Sequence, residues 1–440
     1  MRPKLHLTAP QNWINDPNGL LYFQGNYHVF YQHFPYDCKW GTMHWGHAIS
    51  KDLVTYQHLP IALYPSKDYD RNGCFSGSAI TYNDKMYIYY TSIKYAKENP
   101  EYIHVQYSDD DLIASQSLVI SKDGFTFNNK EDKHLVVDVI KDNSLGDIRH
   151  TRDPKVWVGK NNHVYMIVGS KVPSDNGYDG EVLFYESIDG INFKYKNRFI
   201  DATIGDMWEC PDIFNLDNKY YLVFSPENIN HPPQPISNAV YMKVEFDEES
   251  CTLTRKDNYE YMDYGLDFYA PQTFLDEENR RVVIGWLRMR EPIPEEKWVG
   301  MLSFPRVLKS QNGHIYQEVH PNIRNKFKKE VNQCNLQEPF LMKTILKESS
   351  ILNFGDFIIT IQDDCLVCNR EKVSIIAEKV CNINKTPVLN HQYALEIYYD
   401  CHVFEIYIND GYYVISQIVY DIKDTVKIKD VDPYQIYVME

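Results

Sequence analysis

No apolar run in this 440-residue sequence approaches the ~18 residues that a membrane helix needs. The charged start Met1-Arg2-Pro3-Lys4-Leu5-His6 has no apolar stretch behind it, so no secretory signal is read there. Cysteine is sparse and odd in number, with nine residues and no regular spacing. That excludes a disulfide framework and leads us to expect free thiols in a reducing cytoplasm. Positive charge is in deficit: Lys plus Arg is 45, Asp plus Glu is 61, and the net charge is −16. Nucleic acid and anionic membrane surfaces both call for a basic face, so neither is expected as a partner. There is no phosphate-cradling Gly-rich loop with a Lys. Cys365-Leu366-Val367-Cys368 has the spacing of a metal knuckle but no matching second pair, and His44, His47 and His58 are scattered among strand residues. No metal is therefore expected, and these histidines read as hydrogen-bonded core residues. Apolar residues make up 43% and aromatics 14%, with 35 Tyr, which is enough for packed cores.

One pattern recurs five times. A polar cluster, mostly with Pro, leads into an apolar strand, then a turn of Asn, Asp, Gly or Lys, then a second aromatic strand. The copies begin near Asn15-Asp16-Pro17, Phe75-Ser76-Gly77, Arg152-Asp153-Pro154, Glu209-Cys210-Pro211 and Asp267-Phe268-Tyr269-Ala270-Pro271, at a period near sixty residues. Repetition on that scale with abundant strand signals predicts an all-β fold, a five-bladed β-propeller whose first strands line a central axis. The boundaries predicted are a propeller over 1–310, a Lys-rich linker over 311–330, helical around Asn322 to Lys329, and a C-terminal β-sandwich over 331–440. No Trp follows Trp298, and the tail alternates short strands with an Asn409-Asp410-Gly411 turn.

On a propeller, the polar clusters converge at one end of the axis. Asp16, Asp153 and Glu209 stand at matching points of three repeats, beside Trp13, Trp40 and Trp208. A lone Asp-Pro is a turn signal. Three such carboxylates around one axis suit glycoside hydrolysis, which needs carboxyl groups flanking one bond. Aromatic faces suit the C–H surface of a sugar. Such chemistry needs no cofactor.

These segments carry a family likeness. Trp13-Ile14-Asn15-Asp16-Pro17-Asn18-Gly19 resembles the first signature of glycoside hydrolase family 32, the invertase and fructanase family. Arg152-Asp153-Pro154 and Trp208-Glu209-Cys210-Pro211-Asp212 resemble its second and third. Trp45-Gly46-His47-Ala48, Phe75 to Ala79, Asp267 to Gln272 and Glu405 to Gly411 resemble further family segments. The resemblance implies hydrolysis of a terminal β-D-fructofuranosyl bond with retention, through a covalent fructosyl-enzyme. It implies Asp16 as nucleophile, Glu209 as general acid/base and Asp153 as transition-state stabiliser. It also implies that Gln32, Trp40, Phe75 and Ser76 line the fructose subsite.

Further substrate-side candidates are Trp13, Asn15, Arg152 and Trp286, the last as a pocket wall. Asn15 is expected to favour an ionised Asp16, and Arg152 an ionised Asp153. Whether Arg152 touches Asp153 or the sugar is open, because strand neighbours point to opposite faces. By the same rule Asp212 faces away from Glu209 and reads as a partner for an Arg, and Cys210 reads as a buried, inert thiol. Candidate substrates are sucrose, its 6-phosphate and short fructo-oligosaccharides. A phosphate would call for a rim cation, from among Lys39, Arg71, Arg149, Lys171, Arg288 and Arg290. Alternatives are an exo-fructanase or fructosyltransferase on the same site, an inverting arabinan- or xylan-cleaving propeller, or a non-catalytic glycan-binding propeller.

Overall fold

The computed structural model describes residues 2–108, 111–175, 177–229, 238–293, 295–373, 381–420 and 422–440. Five antiparallel sheets follow one another along the chain, each with its first strand innermost. The innermost strands are Asn12–Phe23, Gly73–Tyr82, Arg152–Val158, Met207–Leu216 and Phe268–Leu275. Two-residue turns join several of them to the next strand. Gln24-Gly25, Asn83-Asp84 and Asp217-Asn218 all have positive φ, the backbone that matches the strand twist in tight hairpins. The ring closes where Trp298–Val299 pairs with Asn12 and Trp13 of the first blade while Met301–Leu302 pairs with the fifth. Second-strand tyrosines serve as packing: Tyr27, Tyr31, Tyr87, Tyr89 and Tyr165 are buried among the blades.

Each innermost strand is interrupted where its polar cluster lies. The register slips between Ile14 and Pro17, Cys74 and Gly77, Glu209 and Asp212, and Tyr269 and Gln272, and opposite the Arg152–Lys155 stretch. These are β-bulges, which bend a strand and re-aim its side chains. Asp153, Cys210 and Ala270 each have positive φ and each precede a proline. They therefore mark one structural position, and Glu209 stands one residue ahead of it, beside Arg152 and Tyr269. The match of Glu209 with Asp16 and Asp153 read from the sequence is off by that one residue.

The segment expected as a linker is largely ordered strand. His314–Val319 is the outer strand of the fifth blade, Pro321–Arg324 is a single helical turn, and Phe327–Val331 already pairs within the C-terminal sheet. Part of its polarity is solvent-exposed, at Lys328, Lys329 and Glu330. The rest is spent on neighbours: the Gln317 amide donates to the Met262 carbonyl beside the fourth blade, and His314 bonds Glu260 and, across the domain junction, the Tyr412 carbonyl. Two sheets, of six and five strands, form the C-terminal sandwich around Phe340, Phe354, Phe404 and Ile406. No helix among the described residues is long and apolar enough to cross a membrane.

A buried ionic cluster fixes the sandwich to the propeller. Arg306 of the fifth blade is fully buried, with Nη1 2.9 Å from Asp263 and Nη2 2.9 Å from Glu405. Glu405 also accepts from the Phe304 amide, Tyr407 and His6. Asp400 accepts the amides of Lys4, Leu5 and His6, tying the chain start to the sandwich. Removing one partner of such a cluster strands the other charges in a dry interior. Arg306→Ala is expected to cost about 3–5 kcal/mol in urea unfolding. A loss below about 1 kcal/mol would mean that water reaches the cluster.

Candidate active site

At the bulged ends of the inner strands lies a cavity of about 480 Å³. Asn15, Asp16, Gln32, Trp40, Phe75, Ser76, Arg152, Asp153, Glu209 and Trp286 all line it. Adjacent pairs such as Asn15 with Asp16, Phe75 with Ser76, and Arg152 with Asp153 face it together. A regular strand forbids this, and the bulges allow it.

Asp16 is held by Ser76, whose hydroxyl donates to its Oδ2 at 2.5 Å. Burial pushes the Asp16 carboxyl up to about 6, against hydrogen bonds from Ser76 and Asn15, and the Glu209 charge adds to the rise. Asp153 is pushed up to about 7, first by burial, then by Glu209 and Asp16, with Arg152 opposing. Arg152 does act on Asp153 in the expected direction, but burial outweighs it. Arg152 Nη2 lies 2.8 Å from Glu209 and 3.0 Å from Glu227, while its Nε is 4.0 Å from Asp153. The second oxygen of Glu209 accepts a hydrogen bond from the Tyr269 hydroxyl.

Trp40 and Phe75 meet edge to face at 5.6 Å and form one apolar wall. Gln32 donates to the Cys74 carbonyl and so anchors the strand that presents Phe75 and Ser76. Trp13, expected on the substrate side, is not in the lining: its indole donates to Asn15 at 2.8 Å and its ring meets Trp286 at 5.7 Å. Trp208 is no sugar platform. It is fully buried, stacked on Phe224 at 4.1 Å, and donates to the Ile204 carbonyl.

Three other expectations change. Asp212 faces away but pairs with a lysine: Lys155 lies 3.0 Å from it, and the Thr273 amide donates to it. Cys210 is half-buried, and its Sγ sits 3.6 Å from both Asp16 and Asp153, with its amide donating to Asp153. Burial and the charges of Asp153, Asp16 and Glu209 push this thiol far up, so it stays protonated and is a donor to Asp16 or Asp153. His58 is exposed, whereas His44 and His47 are buried.

Of the six candidate rim cations only Lys171 lines the cavity, with its ammonium 4.1 Å from the Tyr178 ring. Arg71 pairs with Glu98, Lys39 with Asp37, and Arg288 is buried over the Tyr269 ring. Sequence reasoning missed Glu227, Tyr269, Tyr178, His150, Gln106 and Leu112, all in the lining. Tyr269 had a signal, since Tyr269-Ala270-Pro271 repeats the frame of Glu209-Cys210-Pro211. Glu227 ends a second strand, away from any repeated cluster.

The model of the glycosyl hydrolases family 32 N-terminal domain matches residues 6–319. The chain belongs to glycoside hydrolase family 32. That match ends on the last residue of the fifth blade. A sucrose-6-phosphate hydrolase of Escherichia coli is 34% identical over 449 residues, covering 95% of this chain and 89% of that protein. A raffinose invertase of Escherichia coli is 36% identical over 326 residues, covering 72% of this chain and 64% of that protein. Among solved structures, a family 32 β-fructofuranosidase of Bombyx mori superposes with a TM-score of 0.83 at 27% identity, covering 100% of this chain and 94% of that one. The family 32 assignment makes the chain a glycoside hydrolase with the propeller-plus-sandwich fold seen here.

Proposed function

We propose that this chain is a retaining β-fructofuranosidase that hydrolyses the terminal β-D-fructofuranosyl bond of sucrose or of sucrose 6-phosphate in the cytoplasm. The observation that carries the reading is the convergence of Asp16, Asp153 and Glu209, from three blades, on one 480 Å³ pocket with an aromatic wall. Asp16 attacks the anomeric carbon, with Ser76 and Asn15 orienting its oxygens. Glu209 protonates the leaving oxygen and then activates water. Asp153 holds fructose hydroxyls as positive charge develops on the ring. The Cys210 amide and thiol fix Asp153 and Asp16 relative to each other. Relatives named sucrose-6-phosphate hydrolase support the phosphorylated substrate, and Lys171 is the cation available to its phosphate.

The test is kinetics on sucrose and sucrose 6-phosphate with methanol as competing acceptor. The expected transfer product is methyl β-D-fructofuranoside. An α-anomer, or absence of fructose release from both substrates, would overturn the reading. The pH profile carries a second expectation. The nucleophile must be ionised, so kcat/KM on sucrose falls as pH drops through about 6, where Asp16 takes up its proton, with Asp153 at about 7 adding to the fall. An acid limb near 4 would mean that these carboxylates are not held up by burial in solution.

A further inference from the structure

Two loops that build the catalytic pocket also build a second cavity. The loop between Asn26–Phe34 and His44–Ser50 gives Trp40 to the pocket, and gives Tyr36 and Thr42 to a cavity of about 570 Å³. The loop that follows Lys85–Tyr95 likewise gives Gln106 to the pocket, and gives Glu98, Ile103 and His104 to the cavity. The two loops are joined at Thr42 and His104, 3.1 Å apart. Tyr36 stacks on the His104 ring at 5.6 Å and meets Phe34 and His44 edge to face, yet remains 65% exposed. Ile61, Tyr64 and Ile103 add exposed apolar surface around it. Set into the same wall is the half-exposed ion pair Arg71–Glu98.

We propose that this cavity is a second sugar-binding site, which holds the distal units of a fructose oligosaccharide on the Tyr36 and Tyr64 rings. The combination suits a sugar. A furanose ring offers a C–H face to an aromatic and hydroxyls that a guanidinium and a carboxylate can meet from both sides. The shared loops put the cavity beside the mouth of the pocket, so a chain anchored here raises the local concentration of its ends at Asp16. The inference rests on the fructosidase reading above, which supplies the sugar class.

The experiment compares sucrose with inulin-type oligosaccharides for the wild type, Tyr36→Ala, Tyr64→Ala and Tyr36→Phe. Each Ala variant is expected to lower kcat/KM on the oligosaccharides roughly fivefold, the size of one lost aromatic contact, and to change sucrose less than about twofold. Tyr36→Phe keeps the ring and is expected to track the wild type. Equal losses on sucrose and oligosaccharide, or no loss on either, would overturn the proposal. So would a wild type that cleaves sucrose but neither binds nor cleaves the oligosaccharides. A wild type inactive on every fructoside would instead overturn the fructosidase reading. Sedimentation of each protein reads the remaining occupant: self-association abolished by Tyr36→Ala would assign the patch to a second copy of the chain and overturn the sugar site.

Discussion

Asp16→Asn is expected to lower kcat on sucrose by about four orders of magnitude at neutral pH, because no other group can form the fructosyl ester. The replacement has the same shape, and Ser76 can still donate to the side-chain oxygen. The loss is therefore one of nucleophilicity and not of folding. Stability is expected to move the other way. Burial raises the Asp16 carboxyl from 3.8 to about 6, so the folded chain holds this proton more tightly than the unfolded chain does. With the folded value raised, the destabilisation sets in as pH rises above the unfolded value, and it is fully present above about 6. An uncharged isostere removes it, and an unfolding free energy higher by about 1–3 kcal/mol at pH 7 is expected. Residual activity above about one percent would assign the covalent step to another carboxylate. A strongly reduced unfolding midpoint would make Asp16 a structural residue.

What was legible from the sequence follows from what repeats. The blade period, the turn residues and the polar clusters are local, and they predict the propeller and bring Asp16, Asp153 and Glu209 to one place. The errors have one main physical source. Strict period-two alternation hides three things that the bulges create: that Arg152 and Asp153 share a face, that Glu209 stands one residue out of register with Asp153, and that Tyr269 is its counterpart in the fifth blade. Glu227 was invisible for another reason. It reaches the site from the end of a second strand, and only the tertiary arrangement brings it to Arg152. The linker is misplaced because polarity alone does not separate a linker from a strand: Gln317 spends its amide on the Met262 carbonyl, and His314 reaches the Tyr412 carbonyl across the domain junction. Trp208, grouped with sugar-facing aromatics by its neighbourhood in sequence, turns inward and packs the third and fourth blades.

Glu209→Gln separates the two halves of the reaction. Both carboxylate oxygens are engaged, one by Arg152 and one by Tyr269. Glutamine can keep a bond to each side but cannot deliver a proton. With sucrose, whose leaving alkoxide must be protonated, kcat/KM is expected to fall about a thousandfold, within the range for a lost general acid. With β-D-fructofuranosyl fluoride, whose leaving group needs little proton help, the first step persists and the second stalls, since no base activates water. The fructosyl-enzyme on Asp16 then accumulates and is seen by intact mass as the addition of one anhydrofructosyl unit. Azide, which needs no general base, is expected to release it as β-D-fructofuranosyl azide and to restore turnover. Equal losses on sucrose and on the fluoride, with no adduct and no rescue, would remove Glu209 from the acid/base role. Glu227, the carboxylate that shares Arg152 with it, would then be the group to test next.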